Sequence, residues 1–158
     1  MTVDQNKEVI RRLINIFNAH DFSRMDEVCD EDVVYRTASG IVLRGLEAYR
    51  DVMIQLQEGF PDFEYSLKDM VGEGDRIHFT YRYTGTHSGE FMGIEASDSK
   101  ADYLVASACR FDDGKLVDEL DFYDGLTFMR QLGALSEEVK PGGKDWPSGG
   151  RVLRPTSQ

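Results

Sequence analysis

Apolar side chains recur at Ile10, Leu13, Ile14 and Phe17, the spacing that lines one face of an α-helix, and Thr2 and Gln5 are spaced as a capping box. Residues 4–18 are therefore expected to form an amphipathic helix. Ser23 with Asp26 and Glu27 opens a second, short helical turn that carries Met25 and Val28 inward, and Val33-Val34-Tyr35 begins a short strand. Gly45 starts a third helix with Leu46, Tyr49, Met53 and Leu56 on one stripe, stopped at Phe60-Pro61. Beyond Pro61 the period falls to two. Phe63, Tyr65 and Leu67 alternate with Glu64, Ser66 and Lys68, a Gly72-Glu73-Gly74-Asp75 turn follows, and Ile77, Phe79, Tyr81 and Tyr83 continue the alternation as the second arm of a hairpin. A loop centred on residues 85–99 leads to a strand at 101–111. Asp112-Asp113-Gly114 turns it into a last strand at 115–123, and a short helix over 125–132 ends on Gly133 as a left-handed cap.

Helices first and antiparallel strands afterwards make an α+β pattern, with a curved sheet wrapped around the N-terminal helices and a pocket between them. Residues 1–133 are expected to form one domain. From 134 to 158 the composition shifts to Pro141-Gly142-Gly143 and Ser148-Gly149-Gly150, which predicts an extension without regular structure.

Charge narrows the partners. The net charge is −11, and residues 134–158 carry four basic and three acidic side chains, so residues 1–133 hold −12. Such a surface repels phosphate backbones and anionic headgroups, so neither nucleic acid nor a membrane surface is expected as a partner. The first residues lack the apolar run of a signal peptide and no 18-residue apolar stretch exists, which points to the cytoplasm. Cys29 and Cys109 have no close-spaced Cys or His partner, so two buried reduced thiols are expected. No Gly-rich phosphate loop, nucleophile elbow or metal-ligand spacing occurs, so no nucleotide, flavin or metal cofactor is expected.

Three segments resemble the SnoaL-like polyketide cyclases of the nuclear transport factor 2-like superfamily. These are Gly45 to Phe63, ending in Phe60-Pro61-Asp62-Phe63; Thr84-Gly85-Thr86-His87-Ser88-Gly89-Glu90-Phe91-Met92-Gly93; and Gly114-Lys115-Leu116-Val117 through Asp124 to Gln131-Leu132-Gly133. The resemblance implies a cone of curved sheet with helices across its mouth. It also implies cofactor-independent aldol ring closure of polyketide esters, with an aspartate just before the final helix as general acid/base; by position that is Asp124. Leu120 stands where such proteins commonly carry Trp, and the strand 101–111 contains no assisting histidine.

In a regular last strand, Leu116, Leu120, Phe122 and Asp124 share one face, which would set an acid on an apolar wall where desolvation prepares it to take a proton from carbon. The alternative role for Asp124 is to N-cap the helix that follows. Glu119, Asp121 and Tyr123 fall on the opposite face in this register, and a bulge would exchange the two sets, making Asp121 the reserve candidate. His87 opens the loop over the expected pocket mouth, where an imidazole could shuttle a proton or simply support a turn. Tyr35, Tyr49, Phe60, Phe91, Leu120 and Phe122 complete the expected substrate contacts.

The function these residues favour is a cyclase, lyase or isomerase that enolises a small hydrophobic carbonyl compound. A non-catalytic binding or oligomerisation domain is the alternative, as is water activation by paired carboxylates with Arg82 or Arg110 in the pocket. The long sheet face left uncovered by helices predicts a homodimer.

Overall fold

The computed structural model describes residues 1–135. Helix α1 spans Val3–Asn18 and is capped as its sequence predicts: the Thr2 hydroxyl accepts from Gln5 N at 3.2 Å, and Gln5 Oε1 accepts from Thr2 N at 2.8 Å. A 3₁₀ turn over Phe22–Glu27 leads into β1 (Cys29–Thr37) and β2 (Val42–Arg44), and then α2 (Leu46–Gly59). Four long strands follow, β3 (Glu64–Glu73), β4 (Arg76–Thr86), β5 (Lys100–Asp112) and β6 (Lys115–Tyr123), and α3 (Gly125–Gln131) closes the order. Gly133 adopts φ 75° just past α3, the left-handed position expected of it. The expected irregular extension lies, from residue 136 on, outside the described residues.

The strands form one curved mixed sheet in the order β2-β1-β6-β5-β4-β3. Sequence alone missed two parts of it. Strand β2 is three residues long, too short to show an alternation, and it pairs antiparallel with β1. β1 lies parallel to β6, which joins the N-terminal half of the chain to the end of the meander.

Ile10, Leu13, Ile14 and Phe17 of α1 and Tyr49 and Met53 of α2 are buried. They pack on the concave face of the sheet, against Phe79, Tyr81 and Tyr83 of β4 and Val105 and Cys109 of β5. The loop after β4 is fastened to the end of α2, since Ser88 N and Gly89 N both donate to Gly59 O, at 3.0 and 3.1 Å. Gly89 is required there: a Cβ on it would lie 2.1 Å from Glu58 O.

The convex face is different. Arg82 and Asp102 pair on it, and Leu104 and Phe122 stand 63% and 48% exposed. Cys29 and Cys109 are free and buried.

Candidate active site

A bulge in β6 decides which side chains enter the interior. Arg110 pairs with Asp118 but Phe111 pairs with Leu116, so Val117 is one residue too many for its partner strand. Leu116 is buried before the bulge; after it the inward positions are Glu119, Asp121 and Tyr123, and Phe122 turns outward. The regular strand expected from sequence is thereby corrected: Leu120 and Phe122 do not line the cavity, and Glu119 and Asp121 do.

The cavity is about 280 Å³, bounded by α1, α2, the concave sheet, Phe91 and Met92 of the loop after β4, and Phe128 of α3. All seven tyrosines of the chain line it: Tyr35, Tyr49, Tyr65, Tyr81, Tyr83, Tyr103 and Tyr123. Glu119 and Asp121 are its sole charged lining residues among those described.

The two carboxyl groups are held differently. Asp121 is 4% exposed and accepts three hydrogen bonds: Oδ2 from Tyr35 at 3.0 Å and from Tyr81 at 3.2 Å, and Oδ1 from the Ser107 hydroxyl. Ser107 is there because it is the antiparallel partner of Asp121 across β5 and β6. Burial pushes the Asp121 carboxyl up to about 6, and the three donors restrain that rise because they favour the ionised form. Glu119 is 3% exposed and accepts one hydrogen bond, on Oε2 from Tyr49 at 2.7 Å. Burial first, and then the charge of Asp121, push it well above the usual carboxylate range. Tyr35 and Tyr49 stack with centroids 4.7 Å apart, so the donors to the two acids support each other.

The site residues expected from sequence divide accordingly. Tyr35, Tyr49 and Phe91 line the cavity. Phe60 is fully buried beneath it, against Tyr83, Phe91 and Phe128. His87 is also fully buried, stacked on Phe60 at 5.2 Å with Nδ1 3.0 Å from Ser97 Oγ, so it fastens the base of the loop rather than facing the cavity. Asp124 is exposed and caps α3, accepting from Thr127 N at 3.1 Å and from the Thr127 hydroxyl at 2.5 Å, contacts that lower its pKa. Its expected place on an apolar wall is corrected in favour of the capping alternative, because the strand has ended and the helix N-terminus takes the carboxylate. Arg82 and Arg110 are both exposed, so neither supplies the arginine that carboxylate-paired water activation would need.

Sequence reasoning put this face of β6 second, as the outcome of a bulge with Asp121 in reserve, because nothing local marks where the bulge falls. The Asp112-Asp113-Gly114 turn sets the first pairs as Asp112 with Lys115 and Phe111 with Leu116, and counting onward from them places Asp118 and Leu120 inside.

A cone of curved sheet closed by helices, with an acid pair in an aromatic cavity, defines a small-molecule pocket protein of the nuclear transport factor 2-like class. The chain belongs to the SnoaL-like polyketide cyclase family, whose model matches residues 7–132. Solved structures agree. A protein of Jannaschia sp. CCS1 assigned as a SnoaL-like polyketide cyclase is 26% identical, with a TM-score of 0.77 over 84% of this chain and 94% of that one. IdmH of Streptomyces antibioticus, assigned as a polyketide cyclase, is 28% identical, with a TM-score of 0.72 over 82% and 99%. AclR of Streptomyces galilaeus, assigned as a hydroxylase, shares the fold at 24% identity, with a TM-score of 0.75 over 85% and 100%. No functionally curated protein matches the chain.

Proposed function

We propose that the protein is a cofactor-independent acid/base enzyme of the cyclase or isomerase type, enolising a small hydrophobic carbonyl compound in the tyrosine-lined cavity. The observation that carries this reading is Asp121: a buried carboxyl on an apolar wall, oriented by Tyr35, Tyr81 and Ser107 and titrating at about 6. A base with that pKa is ionised at neutral pH yet basic enough to take a proton from carbon next to a carbonyl. The role first expected of Asp124 therefore passes to Asp121.

A cavity of about 280 Å³ sits at the small end of ligand pockets and suits a ligand of one to three fused rings. The lack of basic lining residues among those described favours a neutral substrate, such as an ester or ketone, over a carboxylate. Asp121→Asn is expected to remove turnover, or solvent-deuterium exchange at the acidic carbon, by roughly 10²–10⁴-fold. Equal rates in the variant and the parent would refute the reading. The binding-module alternative takes its place if ligands bind the cavity tightly, none is turned over, and Asp121→Asn binds as well as the parent.

The same reading includes a homodimer formed through the convex sheet face, supported by the exposed Leu104 and Phe122. A reducing, cytoplasmic setting is supported by the two free thiols.

A further inference from the structure

Glu119 has no part in the reading above, yet it is the second buried acid of the same cavity, and its surroundings differ from those of Asp121 in a way that has chemical consequences. Asp121 takes three donors, while Glu119 takes only Tyr49, on Oε2. Among the described residues its Oε1 has no hydrogen-bond partner and is not one of the sealed unpartnered atoms, so it is the oxygen left facing the cavity. The two residues project from the same face of β6, two positions and roughly 7 Å apart along the strand, which leaves room for a carbonyl group and its neighbouring carbon between them.

We infer that Glu119, held by Tyr49, is the proton donor to the substrate's carbonyl oxygen, so that Glu119 and Asp121 share one proton and exchange it during enolisation. This rests on Asp121 as the base. The Asp121 carboxylate takes the proton from the carbon; the C–H electron pair becomes the enol double bond; and the carbonyl π pair moves onto oxygen. That oxygen takes the proton from Glu119 Oε1, and the electron pair of the broken O–H bond stays on Glu119. Before the step Glu119 is neutral and Asp121 ionised; afterwards the states are reversed. The apolar wall holds one negative charge throughout, so it never bears the cost of two.

The groups around Glu119 support a neutral resting state. On the inward face of β6 its neighbour is Asp121, while Asp118 next to it in the chain turns outward and pairs with Arg36; α2 brings Tyr49, β1 Tyr35 and Cys29, β3 Tyr65, β4 Tyr81 and β5 Cys109, and among the described residues no basic side chain lines the cavity. With one donor against three, Glu119 is the acid of the pair that keeps the proton, as in other sites where a carboxylic acid is kept neutral to donate.

The test uses the full chain with 2-tetralone, a compact ketone with acidic carbon, and 2-naphthol, whose hydroxyl oxygen mimics the enol. In infrared difference spectra at pH 7, a protonated-carboxyl band is expected in the parent and in Asp121→Asn and is lost in Glu119→Gln; a parent whose difference from Glu119→Gln shows only a carboxylate band overturns the inference. Deuterium exchange of 2-tetralone is expected to fall roughly 10²–10³-fold in Glu119→Gln. Gln still accepts from Tyr49, so a role limited to holding that tyrosine would leave the rate at the parent level, which also overturns the inference. If the parent itself fails to exchange 2-tetralone, the enolisation reading fails for this ketone and 2-naphthol binding decides on Glu119. Binding at least tenfold weaker in Glu119→Gln and unweakened in Asp121→Asn supports the donor, and equal binding to Glu119→Gln and the parent overturns it. Should Glu119→Gln not fold, Tyr49→Phe carries the same binding measurement, with a loss of affinity expected and equality contradicting the assignment.

Discussion

At the scale of single residues, Asp121 and Asp124 carry the same side chain and differ in what surrounds it. Asp124 meets water and the N-terminus of α3, so it is ionised and structural. Asp124→Ala should cost about 1 kcal/mol of stability through loss of the cap, with turnover changed less than twofold, as a thermal melt and one assay would establish. Asp121 is different because its pKa is raised on folding, from 3.8 to about 6. The folded protein therefore holds this proton where the unfolded chain has released it, and the sign follows: the stability associated with the group is full below pH 3.8 and is lost as pH rises through about 6. The full loss is on the order of 3 kcal/mol for a shift of about two pH units. Asp121→Asn should flatten this slope in denaturant titrations between pH 4 and 7, whereas an unchanged slope would mean that another group carries it. On the proposed reading activity runs the opposite way, since Asp121 as base must be ionised: kcat/KM should rise through about pH 6.

At the scale of elements, one extra residue in β6 decides which side chains enter the cavity. Val117 moves Glu119 and Asp121 from the convex to the concave side by displacing the alternation one step. Deleting Val117 removes the extra residue and leaves the pairs from Arg110 with Asp118 onward as they are, so the ladder becomes regular with both acids still inward and Leu120 and Phe122 still outward. Ligand binding should then persist, and a folded deletion variant that loses it would refute the role given to the bulge. The helices were legible because their signals are local. The α1 capping box, its apolar face and the stop at Phe60-Pro61 depend only on near neighbours, and each lies where the sequence predicts it. The bulge and the parallel pairing of β1 with β6 were not legible, because each is settled by a partner strand far away in the chain.

At the scale of the whole molecule, the sheet separates two surfaces of different composition. The concave side gathers every tyrosine of the chain around two acids, while the convex side leaves Leu104 and Phe122 in the open. If that face joins two copies, Leu104→Glu combined with Phe122→Glu should convert a dimer into a monomer in light scattering while leaving the cavity's ligand affinity unchanged. A parent that is monomeric at micromolar concentration would remove the dimer instead. The overall negative charge is compatible with the uncharged ligand proposed for the cavity.

The sequence by itself determined the number and type of the main elements, the α+β class, the family, and the aromatic content of the interior, because periodicity, caps and turns are properties of neighbouring residues. It also supplied Tyr35 and Tyr49 as cavity residues, since each lies on an element whose inward face its own pattern reveals, and Phe91 on the loop after β4, where no periodicity applies. Tertiary structure alone decided that Asp121 and Glu119 enter the cavity, that Asp124 caps a helix, and that His87 fastens a loop. The physical reason is that a strand's facing is a parity, and one unpaired residue, fixed by ladder partners on β5 and β1, reverses it for every side chain that follows.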